Sequence, residues 1–60
     1  MNATNYHNET VTFAVGQTIT LVTDEGAIIK GTVKSLIAPD ALEIDFEDGN
    51  EGTELTTSCF

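Results

Sequence analysis

Val11, Phe13 and Val15 alternate with Thr10, Thr12 and Ala14, and the chain keeps this period of two through most of its length. Such alternation sends successive side chains to opposite faces of a strand, so it predicts β structure; no window offers a helical stripe. Gly16 interrupts the first strand, after which Ile19 and Leu21 alternate with Thr18 and Thr20 as far as Thr23. Asp24-Glu25-Gly26 predicts a hairpin loop closed by Gly26 in the left-handed conformation. A third strand runs from Ala27 to about Ser35 and breaks at Ala38-Pro39-Asp40, because proline has no N–H to give to a ladder. Leu42, Ile44 and Phe46 then alternate with Glu43, Asp45 and Glu47, and Asp48-Gly49-Asn50 turns the chain again. Residues 53–59 read as a last strand by their threonines, with Leu55 as the one sizeable aliphatic side chain. Residues 1–9 are polar and aperiodic, which predicts a flexible lead-in and leaves 10–60 as the single domain.

The strands constrain one another's register. Pairing Val33 with Ile44 and Gly31 with Phe46 puts apolar residues together on one face. The same register sets Lys34 against Glu43, Thr32 against Asp45 and Lys30 against Glu47 on the other. A slip by one residue would oppose apolar and charged faces, so the register is strongly specified. Pairing Leu21 with Ile29 and Ile19 with Gly31 continues the core face across a third strand. Gly31 falls where large neighbours converge, and a glycine inside a strand marks tight curvature. The expected architecture is an all-β, five-stranded barrel made from a strongly bent antiparallel meander, with Ile19, Leu21, Val33, Ile44 and Phe46 inside. Val22 and Ile28 pair on the opposite face, and Leu36 and Ile37 follow in sequence. These four residues predict an interface with further copies of the chain, a homo-oligomer.

Composition sharpens that expectation. A chain of 60 residues buries only about 60% of its unfolded surface, and domains this small lean on disulfides, metals or self-association. Cys59 is the sole cysteine and His7 the sole histidine, so neither an internal disulfide nor a zinc site is expected, and no cofactor is implied. Self-association remains. The net charge is −8, with ten acids against Lys30 and Lys34, which opposes phosphate backbones and anionic membranes alike. No apolar run approaches the ~18 residues of a membrane helix. One unpaired cysteine and no export leader suggest a cytoplasmic setting, in which Asn2-Ala3-Thr4 and Asn8-Glu9-Thr10 match the glycosylation pattern by chance.

Seven of the ten acids lie between Asp40 and Glu54. They read first as a solvated face that keeps a small protein soluble. A surface complementary to a basic protein, including one that mimics nucleic-acid phosphates, is the second reading. Cation binding through Asp45, Glu47, Asp48 and Glu51 is the third, although their spacing lacks a calcium-loop pattern. His7 has no partner near it in sequence, and no base is placed to activate Cys59, so no catalytic residues are expected.

Gly16-Gln17, Ile19, Leu21, Asp24-Glu25-Gly26, Gly31, Val33 and Leu36 together resemble the first motif of Sm and Sm-like RNA-binding proteins. Gly16, Gly26 and Gly31 reproduce its glycine spacing, and the similarity covers about residues 15–46. The resemblance implies a small five-stranded SH3-like or Sm-like barrel, a homo-oligomeric ring, and RNA or single-stranded DNA as partner in nucleic-acid processing. By position, the family's base pocket falls on Ile37, Ala41 and Glu51, none of which keeps the family's residue type. Divergent Sm-like proteins of this size resemble phage or environmental proteins, which implies a host cytoplasm. Residues 31–49 also resemble the smallest bacterial translation initiation factor, an OB-fold RNA binder, but Glu43, Asp45 and Glu47 stand where that family needs basic or aromatic residues. The alternative to a nucleic-acid role is an acidic protein-binding module: an inhibitor, an adaptor or a nucleic-acid mimic.

Overall fold

Strand β3 (Thr18–Val22) turns through Asp24-Glu25-Gly26 into the ten-residue β4 (Ile28–Ile37), with Leu21 opposite Ile29 and Ile19 opposite Gly31. Gly26 closes the loop at φ +83°, donating to the Thr23 carbonyl, while the Thr23 hydroxyl accepts from the Ala27 N–H. The computed structural model describes residues 1–60. β4 pairs next with β5 (Ala41–Phe46), and β5 with β6 (Glu51–Leu55), giving a four-stranded antiparallel meander in the order β3-β4-β5-β6. Gly49, at φ +91°, makes the last turn; Asp48 holds it by accepting from both the backbone N–H and the side-chain amide of Asn50.

The protein is all-β, and it departs from the expected five-stranded barrel in number and in closure. Six strands form two separate antiparallel sheets, and no continuous ladder closes them into a barrel. The second sheet pairs a strand from the residues expected to be a flexible lead-in with the start of the expected first strand. β1 (Asn2–Thr4) pairs with β2 (Thr10–Thr12), and the Phe13 N–H donates to the Met1 carbonyl beyond the ladder. Buried Asn5 organises the loop between them, its Oδ1 accepting from the His7 and Glu9 N–H groups at 3.0 Å each. A short polar segment can thus belong to the fold when one side chain satisfies the turn's backbone donors.

The last expected strand is also shorter. After Leu55 the chain enters a 3-10 turn (Thr56–Ser58), pinned by the Thr56 N–H to the Asp40 carbonyl. Residues 59 and 60 then lie between the sheets: Cys59 bridges Leu21, its carbonyl accepts from Tyr6, and Phe60 donates to Thr20. These bonds cover the free edge of β3. The edge of β6 stays open.

Ile19, Leu21, Val33, Leu42 and Ile44 fill the core with Ala3, Phe13 and Cys59, while Phe46 packs on it partly exposed. Val15, grouped with Phe13 by alternation, is instead exposed, because the chain turns at Ala14–Gln17 before reaching β3. A β-bulge interrupts β4 between Val33 and Ser35. Before it the expected register holds, with Val33 opposite Ile44 and Thr32 opposite Asp45. Beyond it the pairing shifts by one, so Glu43 faces Ser35 and Leu36 faces Leu42.

Candidate interaction surface

The outer faces of β4, β5 and β6 align into rows because paired antiparallel residues share a face. Thr32, Asp45 and Glu51 form one row, Ser35, Glu43 and Thr53 the next, and Ile37, Ala41 and Leu55 the last. Lys34, thrown out by the bulge, reaches across the first two rows to Glu51 at 3.1 Å and Glu43 at 3.7 Å. The hydrogen bond to Glu51, and then its charge, hold the Lys34 ammonium above its ordinary range. Exposed pairs of this kind add little stability. Lys34 neutralises part of the acidic face and leaves Asp45 without an ion pair. Lys30 and Glu47, expected to pair, meet only through the backbone, the Glu47 N–H donating to the Lys30 carbonyl at 3.2 Å.

The positions corresponding to the Sm-like pocket are not brought together within the chain. Ile37 and Ala41 are direct partners beside the Ala38-Pro39-Asp40 turn. Glu51 pairs with Asp45, near the far end of β5 from Ala41. The four expected interface residues are also divided. Val22 and Ile28 pair at one end of β4, whereas Leu36 and Ile37 occupy the other. The bulge places Leu36 on the face of buried Leu42, so it no longer shares a face with Val22 and Ile28. Asp45, Glu47, Asp48 and Glu51 do not converge as an oxygen cage: no group of three acidic, histidine or cysteine side chains is close enough to hold an ion. No helix is long and apolar enough to cross a membrane.

Two surface features escaped the sequence reading. Tyr6, His7 and Phe60 form an exposed aromatic cluster, with His7 stacked on Phe60 at 5.3 Å and Tyr6 edge-on to both. Their separation in sequence hides it, since the return of residues 59 and 60 to the β1–β2 loop is a long-range event. The second feature is a cleft of ≈ 570 Å³ between the start of β4 and the β5–β6 turn, with Ile28, Ile29 and Phe46 as its apolar side. Alternation hides it, since it assigns Ile28 and Ile29 to opposite faces of β4 although both border the cleft.

Cys59 is fully buried. Burial, and secondarily the charge of Glu54, push its thiol from 9.0 up to about 11. Because the folded value is the higher, the stabilisation from keeping the thiol neutral is complete below pH 9 and disappears as pH rises through about 11. The difference in urea midpoint between the wild-type chain and Cys59→Ala should therefore be constant from pH 7 to 9 and move against the wild type above that. A flat difference across the alkaline range would contradict this environment. A disulfide-exchange reagent at pH 8 should label Cys59 quickly only after urea is added.

No protein-family model matches this chain, and no curated protein or solved structure does so either.

Proposed function

We propose that this chain is a non-enzymatic binding domain, a divergent SH3-like fold of the kind Sm-like proteins share, that docks on a basic protein surface. The ten-residue, bulged β4, paired on both sides, and the pairing of Cys59 with β3 support the SH3-like assignment. One observation carries the functional reading. Glu43 and Asp45 lie on the central strand of an exposed face, bordered by Glu51, with Lys34 as the one cation paired to that face. This field attracts lysine- and arginine-rich surfaces and repels phosphate backbones.

Fluorescence anisotropy with labelled oligolysine and labelled oligouridine tests the choice. At low salt the chain should bind oligolysine and leave oligouridine free. Binding should weaken as ionic strength approaches ~0.15 M, where screening is effective beyond about 8 Å. An Asp45→Lys variant should lose most of the oligolysine affinity. Preferential binding of oligouridine would reject this reading in favour of a nucleic-acid role.

Self-association is a second reading, favoured by the apolar row Ile37, Ala41 and Leu55 beside the open β6 edge. Ile37 is 40% and Leu55 55% exposed. An uncovered edge next to an apolar row is a site for strand pairing between copies. Light scattering across a concentration series decides it: a ring gives a fixed multiple of the 6.4 kDa chain, and a constant monomer mass removes the proposal.

A further inference from the structure

The apolar layer inside the meander runs out before the hairpin tips do. Leu21 and Ile29 are direct partners on the inner face, yet Leu21 is 1% and Ile29 37% exposed. Cys59 bridges Leu21 on β3, whereas Ile29 on β4 is bridged only by Leu21. Phe46 is partly buried beside this opening. It can lie flat there because Gly52 presents no Cβ; one built at that position would stand 3.1 Å from the ring.

Ile29 and Phe46 line both the ≈ 570 Å³ cleft and a second one of ≈ 230 Å³, so the two clefts adjoin at those side chains and together make a trough. Glu47 and Asp48 border the larger cleft, opposed by Lys30 alone. Asp24 and Glu54 border the smaller, with no lysine beside them. Carboxylates therefore border each of the two clefts that share this apolar pair.

We propose that this trough docks an extended segment of a partner protein in which apolar side chains are flanked by lysines or arginines. The apolar side chain settles against Ile29 and Phe46, and the flanking cations meet Glu47 and Asp48 on one side and Asp24 and Glu54 on the other. The inference rests on the reading of the chain as a protein-binding domain, and adds where specificity lies and what sequence class it selects. Charge decides between occupants. An acidic or neutral apolar segment gains the same floor but none of the rim. A second copy of this chain brings a net charge of −8 to four carboxylates, which opposes self-docking here.

The test uses the full chain and three labelled peptides of equal length: alternating lysine and leucine, lysine alone, and alternating glutamate and leucine. Anisotropy should rank the lysine–leucine peptide first, ahead of lysine alone by at least about tenfold, the scale set by burying one aliphatic side chain. The glutamate–leucine peptide should not bind. Amide shifts caused by the lysine–leucine peptide should centre on Ile28, Ile29 and Phe46. Ile29→Ser, first checked for a folded spectrum, should weaken that peptide while leaving the affinity for lysine alone within about twofold, whereas Glu47→Lys, checked in the same way, should weaken both. Equal binding of lysine–leucine and lysine peptides, with shifts on Glu43 and Asp45, would overturn the trough and leave the general reading standing. Equal binding of glutamate–leucine and lysine–leucine peptides would overturn the basic partner class. Failure of every peptide at low salt would remove both proposals.

Discussion

Leu21→Ala should abolish cooperative folding at room temperature or leave only a shallow urea transition. Leu21 is fully buried, opposite Ile29 on one side and bridged by Cys59 on the other. Truncating a buried leucine costs about 2–5 kcal/mol, the lost transfer energy plus the cavity that remains. A domain of 60 residues has a total stability of about 3–9 kcal/mol at the usual stability per residue. The loss is therefore a large fraction of the whole. It also falls where the chain end attaches to β3, so residues 59 and 60 should lose their anchor together with the core. Val15→Ala is the control: Val15 is 63% exposed, and its urea midpoint by far-UV circular dichroism should match the wild type. Equal midpoints for the two variants would mean that the core is not centred on β3.

The contrast between Leu21 and Val15 shows how far periodicity reads. Alternation correctly groups Ile19, Leu21, Val33 and Ile44, because all four sit in strands whose partners force the same inward side. It fails at Val15, where a turn follows Phe13 and the face that alternation assumes no longer exists. It fails again at Leu36. One unpaired residue in β4 reverses the faces beyond it, and nothing in Val33-Lys34-Ser35 marks the bulge in advance. The bulge has an electrostatic outcome even so, since it frees Lys34 to reach Glu51 as well as Glu43. β1 was invisible for a different reason: Ala3 is its only buried side chain, and three residues carry too little pattern to read.

The candidate surfaces were less legible than the core. Acid spacing in β5 was plain from Glu43 and Asp45, and pairing with β6 adds Glu51 to the same face. The trough depends on Ile29 and Phe46 being bordered by residues of two turns, Asp24 from one and Asp48 and Asn50 from the other. Each part is local, whereas their meeting is tertiary.

Gly31→Ala should destabilise the fold by about 1–3 kcal/mol, the range for forcing atoms into a packed core. A Cβ at this position would stand 2.5 Å from Ile44 Cγ2 and 2.9 Å from the Asp45 carbonyl oxygen. Gly31 is central to the meander, paired with Ile19 on one side and Phe46 on the other. The backbone of β5 cannot retreat without opening its ladder to β4 or to β6. The two contacts differ in kind, and that difference makes the prediction specific. Ile44→Ala removes Cγ2 but leaves the Asp45 carbonyl in place. In urea titrations, the Gly31→Ala/Ile44→Ala double variant should therefore lose less stability than the sum of the single losses, by roughly 0.5–1.5 kcal/mol, within the usual range for touching residues. It should still fall below Ile44→Ala alone, because the carbonyl clash persists. Strict additivity would mean that the side-chain contact is absent. A double variant as stable as Ile44→Ala would mean that the carbonyl is not in the way, and that β4 does not approach β5 this closely at its glycine.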